Sequence, residues 1–273
     1  MDTNEKGCGC GCSDSEINEL NEDGIGWAPI GSDIQVNPDR SMVINAPSGW
    51  NYLGFNSTYE CLMVPGGTSL TITCSCLGTG SCSPFYYNGY FTKSPIYGCQ
   101  TSGCAGTCSS TASAIMSGSP MAFLTGGFVN TSISPVIMTP GEILPAAFEA
   151  MFYNSAIIDM ITTFMSSIYQ GAPIPSAIQG INSATAPEGY QFVWVNVCGR
   201  ATSLILPETA IAGIAVMSGN KSSCACNPAS TTTCTKGDKG GAIFCSSGCK
   251  SCSLTIGVGR NLGANFCMHC YQS

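Results

Sequence analysis

Clustered cysteines are the feature that most constrains the fold of this 273-residue chain, which contains 19 of them. Cytosolic proteins that keep their thiols reduced rarely carry cysteine at this density. Two kinds of chemistry accommodate such a set, disulfide bonds and metal–thiolate sites, and the fold must use one of them. Most of the cysteines fall into six clusters: Cys8/Cys10/Cys12, Cys74/Cys76/Cys82, Cys99/Cys104/Cys108, Cys224/Cys226/Cys234, Cys245/Cys249/Cys252 and Cys267/Cys270.

The Cys-x-Cys spacing favours disulfides between different segments of the chain. Ser69–Cys76 alternates apolar and polar residues, which predicts a strand with Cys74 and Cys76 on the same face. Such neighbours lie roughly 6.7 Å apart, at the outer limit for a disulfide, so each needs a partner elsewhere. We expect intramolecular disulfides among ten cysteines: Cys74, Cys76, Cys82, Cys99, Cys104, Cys108, Cys224, Cys226, Cys234 and Cys245.

The C-terminal cysteines offer a metal site as the alternative. Cys249-x2-Cys252 and Cys267-x2-Cys270 have the paired spacing of a four-cysteine zinc site. The residues between the pairs predict two strands and a turn, which would bring the pairs together. In an oxidising compartment the same cysteines form disulfides, and this interpretation is favoured. An iron–sulfur centre at the other clusters belongs to the metal alternative.

The N-terminal residues 1–24 differ sharply from the rest of the chain. They carry seven acidic side chains and one basic one, so most of the formal net charge of −7 lies there. Glycine alternates with Cys8, Cys10 and Cys12, and few apolar residues are available for burial, so we expect a flexible acidic arm. Because the arm has no sheet within which to pair these cysteines, we expect them to form disulfides with another subunit.

The body, residues 25–273, is nearly neutral and ends in a cysteine-rich region at 220–273. Between Cys61 and Gly141 the only charged side chain is Lys93. A chain without a basic surface cannot neutralise phosphate groups, which argues against nucleic acid as a partner. Because little charge keeps copies apart, the expected partner is the chain itself, as a homo-oligomer or polymer.

Periodicity in the body predicts a mainly β fold, a sandwich or jelly roll, with a central helical segment. Tyr190–Cys198 and Thr202–Leu206 are rich in apolar and β-branched residues and predict neighbouring strands, with Ile211–Met217 as a third. From Pro145 to Gln170 apolar residues recur close to every 3.6 positions. This spacing predicts one long helix within an insertion at about 143–170.

Neither a membrane span nor a secretory signal is evident in the sequence. The most apolar stretch, Ile143–Ile168, contains Glu149 and Asp159 and falls short of the roughly 20 mainly apolar residues that a span requires. The first residues have neither the basic nor the apolar segment of a secretory signal. We therefore expect no membrane span.

Catalytic motifs are weak in this chain. Gly237–Gly241 is similar to the nucleophile segment of trypsin-like proteases, but Lys239 stands where that family has its serine. The only histidine, His269, follows this segment, whereas the general base of that family precedes it. A cysteine nucleophile needs a nearby cation to lower its pKa, and the candidates are Lys250 beside Cys249 and Arg200 near Cys198. We expect no enzyme, no catalytic residues and no cofactor.

Taken together, these features predict a structural, self-assembling subunit of an extracellular or surface assembly, such as a filament, appendage, coat or sheath. Disulfides would stabilise the fold and join subunits. The alternative is a zinc or iron–sulfur protein of a reducing compartment, with Cys249, Cys252, Cys267 and Cys270 as a four-thiolate site.

Overall fold

The computed structural model describes residues 26–88, 94–175, 183–226, 234–239, 241–247 and 252–257. Within these residues the chain forms nineteen strands and one α-helix, and the named strand pairs are antiparallel. The prediction of a mainly β fold with a central helix is confirmed. The N-terminal arm, residues 1–24, lies outside the described residues.

Residues 26–129 form a first β-sandwich. Its strands are β1 (Gly26–Trp27), β2 (Asp33–Val36), β3 (Ser41–Asn45), β4 (Asn51–Asn56), β5 (Cys61–Val64), β6 (Leu70–Cys76), β7 (Cys82–Asn88), β8 (Pro95–Thr101), β9 (Cys108–Met116) and β10 (Ser119–Val129). The large sheet has seven strands in the order β2-β3-β6-β9-β10-β4-β5, and the small sheet has the order β1-β8-β7. Apolar side chains of both sheets, including Ile72 and Tyr97, form one core between them.

Strand β6 shows why the cysteines face the small sheet. Leu70 and Ile72 are buried, whereas Thr73 and Ser75 are exposed on the opposite face. Because side chains alternate along a strand, Cys74 and the following cysteine continue the buried face. The strand predicted at Ser69–Cys76 is confirmed.

The second half of the chain adds two further sheets. Its strands are β11 (Val136–Ile137), β12 (Ser183–Thr185), β13 (Tyr190–Val197), β14 (Arg200–Pro207), β15 (Ser218–Gly219), β16 (Lys221–Cys226), β17 (Cys234–Lys239), β18 (Ala242–Ser247) and β19 (Cys252–Gly257). One sheet has the order β11-β13-β14-β18-β17, with β15 pairing on β13, and the other has the order β12-β16-β19. Their core also contains Leu53, Phe55 and Val129 of the first sandwich, so the two halves share buried contacts.

The helical region is shorter than the expected insertion at 143–170. A short 3-10 helix covers Glu149–Tyr153, and helix α1 covers Ser155–Tyr169. Asn154 has an extended backbone between them, and its side chain caps α1 by accepting a hydrogen bond from the Ile157 N–H at 3.2 Å. No helix of the described residues is long and apolar enough to cross a membrane.

Residues ahead of the 3-10 helix pair with the sheet instead of continuing the helix. Ala147 donates its backbone N–H to the Ala201 carbonyl, and the Ala201 N–H donates to the Pro145 carbonyl. Apolar periodicity cannot distinguish this buried extended segment from a first helical turn.

The strands predicted at Tyr190–Cys198 and Thr202–Leu206 are confirmed as β13 and β14. The strand predicted at Ile211–Met217 is wrong. A 3-10 turn at Glu208–Ala210 precedes this segment, and the positive φ of 77° at Gly213 is incompatible with an extended strand.

Candidate functional site

Three disulfides fasten the small sheet of the first sandwich, and the loop that follows its strand β8, to the large sheet. Cys74 on β6 is bonded to Cys99 on β8, with the two Cα atoms 5.6 Å apart. Two more bonds lie towards the end of β6 and are Cys76–Cys104 and Cys82–Cys108. The cross-links therefore hold the β7–β8 hairpin against the β6–β9 pair.

The second and third of these disulfides lie side by side. The Sγ atoms of Cys76, Cys82 and Cys104 are all within 4.8 Å of one another. Cys82 and Cys108 are buried, whereas Cys76 and Cys104 are partly exposed. We call these four residues, Cys76, Cys82, Cys104 and Cys108, the cystine cluster.

Two glycine-containing loops position the cystine cluster. Gly80, at the end of the loop after β6, has a φ of 113°, and a Cβ added there would overlap the Gly103 carbonyl oxygen in the loop after β8. Backbone hydrogen bonds join the same loops, from Ala105 to Thr79 at 2.7 Å and from Leu77 to Thr107 at 2.9 Å. Such close backbone contact requires a residue without a side chain.

A fourth disulfide, Cys224–Cys245, joins β16 to β18 in the second half of the chain. Eight of the ten cysteines expected to form intramolecular disulfides are therefore paired in this structure. The other two, Cys226 and Cys234, lie at the end of β16 and the start of β17.

The structure does not test the zinc site predicted at the C-terminus. Cys252 begins β19 and lies opposite Cys226 in the backbone register, but Cys249, Cys267 and Cys270 lie outside the described residues. The same is true of the proposed cross-linking residues Cys8, Cys10 and Cys12. These assignments remain predictions.

On strands β6, β9 and β10, the outward face of the large sheet carries hydroxyl and apolar side chains and no charge. Its pairing places Thr73 opposite Thr111 and Ser75 opposite Ser109, and the last two hydroxyls are 2.9 Å apart. Ile115 is 61% exposed and Leu124 is 54% exposed on the adjoining strands. We call this surface the neutral face, formed by Thr71, Thr73, Ser75, Ser109, Thr111, Ser113, Ile115, Ala122 and Leu124.

Neither free cysteine of the described residues has the environment of a nucleophile. Burial raises the pKa of Cys198 to about 11, and burial also raises the pKa of Cys61. A thiol with a raised pKa is protonated at neutral pH and therefore unreactive. Arg200, the cation suggested to lower the pKa of Cys198, does not offset this effect of burial.

Arg200 itself is a buried cation at the boundary between the two halves. Its Nε–H donates to the Phe128 carbonyl at 2.8 Å, and the guanidinium lies 5.1 Å from the centre of the Phe148 ring. Burial lowers the pKa of Arg200 to about 10 and raises that of nearby Tyr97 to about 12. Because its polar contacts join β14 to β10, this arginine has a structural role.

Sequence reasoning missed the glycines of the cystine cluster. The signal was present, because glycines at 78, 80, 103 and 106 flank the cysteines of both loops.

No known protein family, curated protein or solved structure matches this chain.

Proposed function

We propose that this protein is a structural subunit that self-assembles in an extracellular or surface assembly, and that two copies meet through the neutral face. The observation that carries the proposal is an exposed sheet surface without charge. Residues 61–88 and 94–141, which include strands β6, β9 and β10, contain no Asp, Glu, Lys, Arg or His.

Burying the neutral face against a second copy meets little electrostatic opposition. No charged group of the neutral face has to lose its hydration, and no like charges of that face approach one another. Part of the polar surface already has hydrogen-bond partners within the sheet, such as the hydroxyls of Ser75 and Ser109. Exposed Ile115 and Leu124 add apolar area whose burial favours association.

A symmetric arrangement brings the same patch of both copies together. Twofold interfaces of this kind are the most common in soluble homo-oligomers. A twofold contact alone makes a dimer, so a larger assembly needs a second connection. The proposed disulfides of Cys8, Cys10 and Cys12 with another subunit supply it.

The disulfides are compatible with an oxidising location. Disulfide-linked sheets also suit an extracellular subunit, because each cross-link restricts the unfolded chain and thereby stabilises the fold. We therefore place the assembly outside the cell or at its surface.

Negative-stain electron microscopy of the purified, oxidised protein tests the proposal. We expect ordered fibres, sheets or shells, and we expect the variant Thr111→Lys, which places a charge in the centre of the neutral face, to abolish them. The matched control is Thr163→Lys on an exposed position of helix α1. Dispersed monomers of the wild-type protein at high concentration would contradict the proposal.

A further inference from the structure

The cystine cluster gathers four sulfur atoms from four separate segments of the chain. Cys76 ends β6, Cys82 begins β7, Cys104 lies in the loop after β8, and Cys108 begins β9. Three of the sulfurs lie within 4.8 Å of one another, and the fourth, that of Cys108, is bonded to Cys82. Cys76 and Cys108 are also directly opposite each other in the β6–β9 register. The backbone therefore delivers all four side chains to one place.

This arrangement is close to what a tetrahedral zinc site requires. Zinc–sulfur bonds of about 2.3 Å in a tetrahedron place the sulfurs roughly 3.8 Å apart. The sulfurs of Cys76, Cys82 and Cys104 lie within 4.8 Å of one another, and that of Cys108 is bonded to Cys82, so all four start close to this spacing once the two S–S bonds are cleaved.

The chemistry of the surroundings selects a soft cation. Residues 61–88 and 94–141 contain no histidine and no carboxylate, so sulfur is the available ligand. Thiolates select Zn²⁺ and other thiophilic metals, whereas Mg²⁺ and Ca²⁺ require oxygen ligands. In the described part of the chain this is the one group of three or more side chains with metal-ligand spacing.

We propose that the reduced chain binds one Zn²⁺ ion through Cys76, Cys82, Cys104 and Cys108, and that oxidation exchanges this ion for the two disulfides. The bound ion holds the two glycine loops together before the disulfides form. Oxidation by a low-molecular-weight disulfide then forms the bonds Cys76–Cys104 and Cys82–Cys108 and releases Zn²⁺. Four electrons pass to two molecules of the oxidant, whose four thiolate products take up four protons from solvent.

Pulse alkylation of the reduced wild-type chain tests this site without any substitution. The protein is reduced with a phosphine, freed of reductant under anaerobic conditions, and alkylated with or without one equivalent of Zn²⁺ alone. Mass spectrometry then gives the alkylation rate of each cysteine. We expect Zn²⁺ to slow alkylation of the four cluster cysteines about tenfold or more, because coordinated thiolates are withheld from the reagent.

Cys74 and Cys99 are the internal control, because they belong to the neighbouring disulfide but not to the cluster. We expect their alkylation rates to be the same with and without Zn²⁺. Equal rates for the cluster cysteines with and without Zn²⁺ would overturn the proposal. So would equal protection of Cys74 and Cys99, because that result indicates nonspecific binding to an unfolded chain.

A second measurement counts the metal. The reduced proteins are titrated with Co²⁺, whose absorption reports tetrahedral thiolate coordination. We expect Cys76→Ser/Cys104→Ser to bind one equivalent fewer than the wild type, and Cys74→Ser/Cys99→Ser to bind the wild-type number. The same number for all three proteins would exclude the site.

Discussion

Cys76 and Cys108 lie opposite each other on neighbouring strands, yet each is bonded to a cysteine of a different segment. Backbone hydrogen bonds already hold β6 and β9 together, so a direct bond between them would add little. The two disulfides instead attach the β7–β8 hairpin and the loop that follows it to the large sheet. The disulfides thus hold segments that are not hydrogen-bonded into the large sheet.

Loss of one inter-sheet disulfide should weaken the fold measurably. Cys74→Ala/Cys99→Ala opens a link with a sequence separation of 25, and we expect the free energy of unfolding to fall by about 3 kcal/mol. Urea denaturation measures this change. Cys61→Ala, at a half-buried cysteine without a disulfide partner, is the control and should cost clearly less. Equal losses for the two variants would show that the cross-link does not stabilise the fold.

Substitution by alanine should destabilise the fold more at Gly80 than at other turn glycines with a positive φ. Gly67 has a φ of 85° and open space around it, so Gly67→Ala should cost only the conformational strain of about 1 kcal/mol. Gly80→Ala adds a clash with the Gly103 backbone and should cost at least about twice as much. Urea denaturation of both variants decides the point. A loss at Gly80 no larger than at Gly67 would argue against close loop contact.

Buried tyrosines predict a loss of stability at alkaline pH. Burial raises the pKa of Tyr97 to about 12 from an ordinary value near 10, so its contribution is complete below pH 10 and decreases as the pH rises towards 12. Arg200 acts in the opposite direction, because its pKa is lowered to about 10. Comparison with Tyr97→Phe isolates the tyrosine.

Wild-type stability relative to Tyr97→Phe should fall by about 2 kcal/mol between pH 10 and pH 12. Below pH 9 the difference between the two proteins should be constant. Urea unfolding at a series of pH values measures it. A difference that stays constant through pH 12 would show that Tyr97 is not buried as described.

The arm cysteines should determine the covalent connections between subunits. Replacing Cys8, Cys10 and Cys12 with Ser should remove the oligomer ladder from non-reducing electrophoresis, because these residues are proposed to bond to another subunit. Reduced wild-type protein should give the same single band as the variant. An unchanged ladder would assign the cross-links to other cysteines.

The sequence predicted the elements whose residue pattern is local. Alternation identified β6, and its two cysteines were expected to bond elsewhere because of their spacing along the strand. The partners could not be predicted, because they depend on how the small sheet packs on the large one. The helix was predicted too long, because residues 145–147 pair with Ala201, a contact that no local pattern reveals.

Gly80 and the neutral face show the same difference between what a local sequence pattern reveals and what depends on packing. The absence of charge could be counted from the sequence, but its concentration on one exposed face depends on the register of β6 and β9. The glycines flanking the cysteines were visible, but their close contact depends on two loops separated by a complete hairpin.

Sedimentation velocity with two oppositely charged variants tests the central claim, that copies associate through the neutral face, most directly. Thr111→Lys and Thr111→Glu should each sediment as smaller species than the wild type, because like charges meet across a twofold interface. Their equimolar mixture should regain the wild-type assembly, because opposite charges then meet. Wild-type assembly by each variant alone, or a monomeric wild type at every concentration, would contradict the claim.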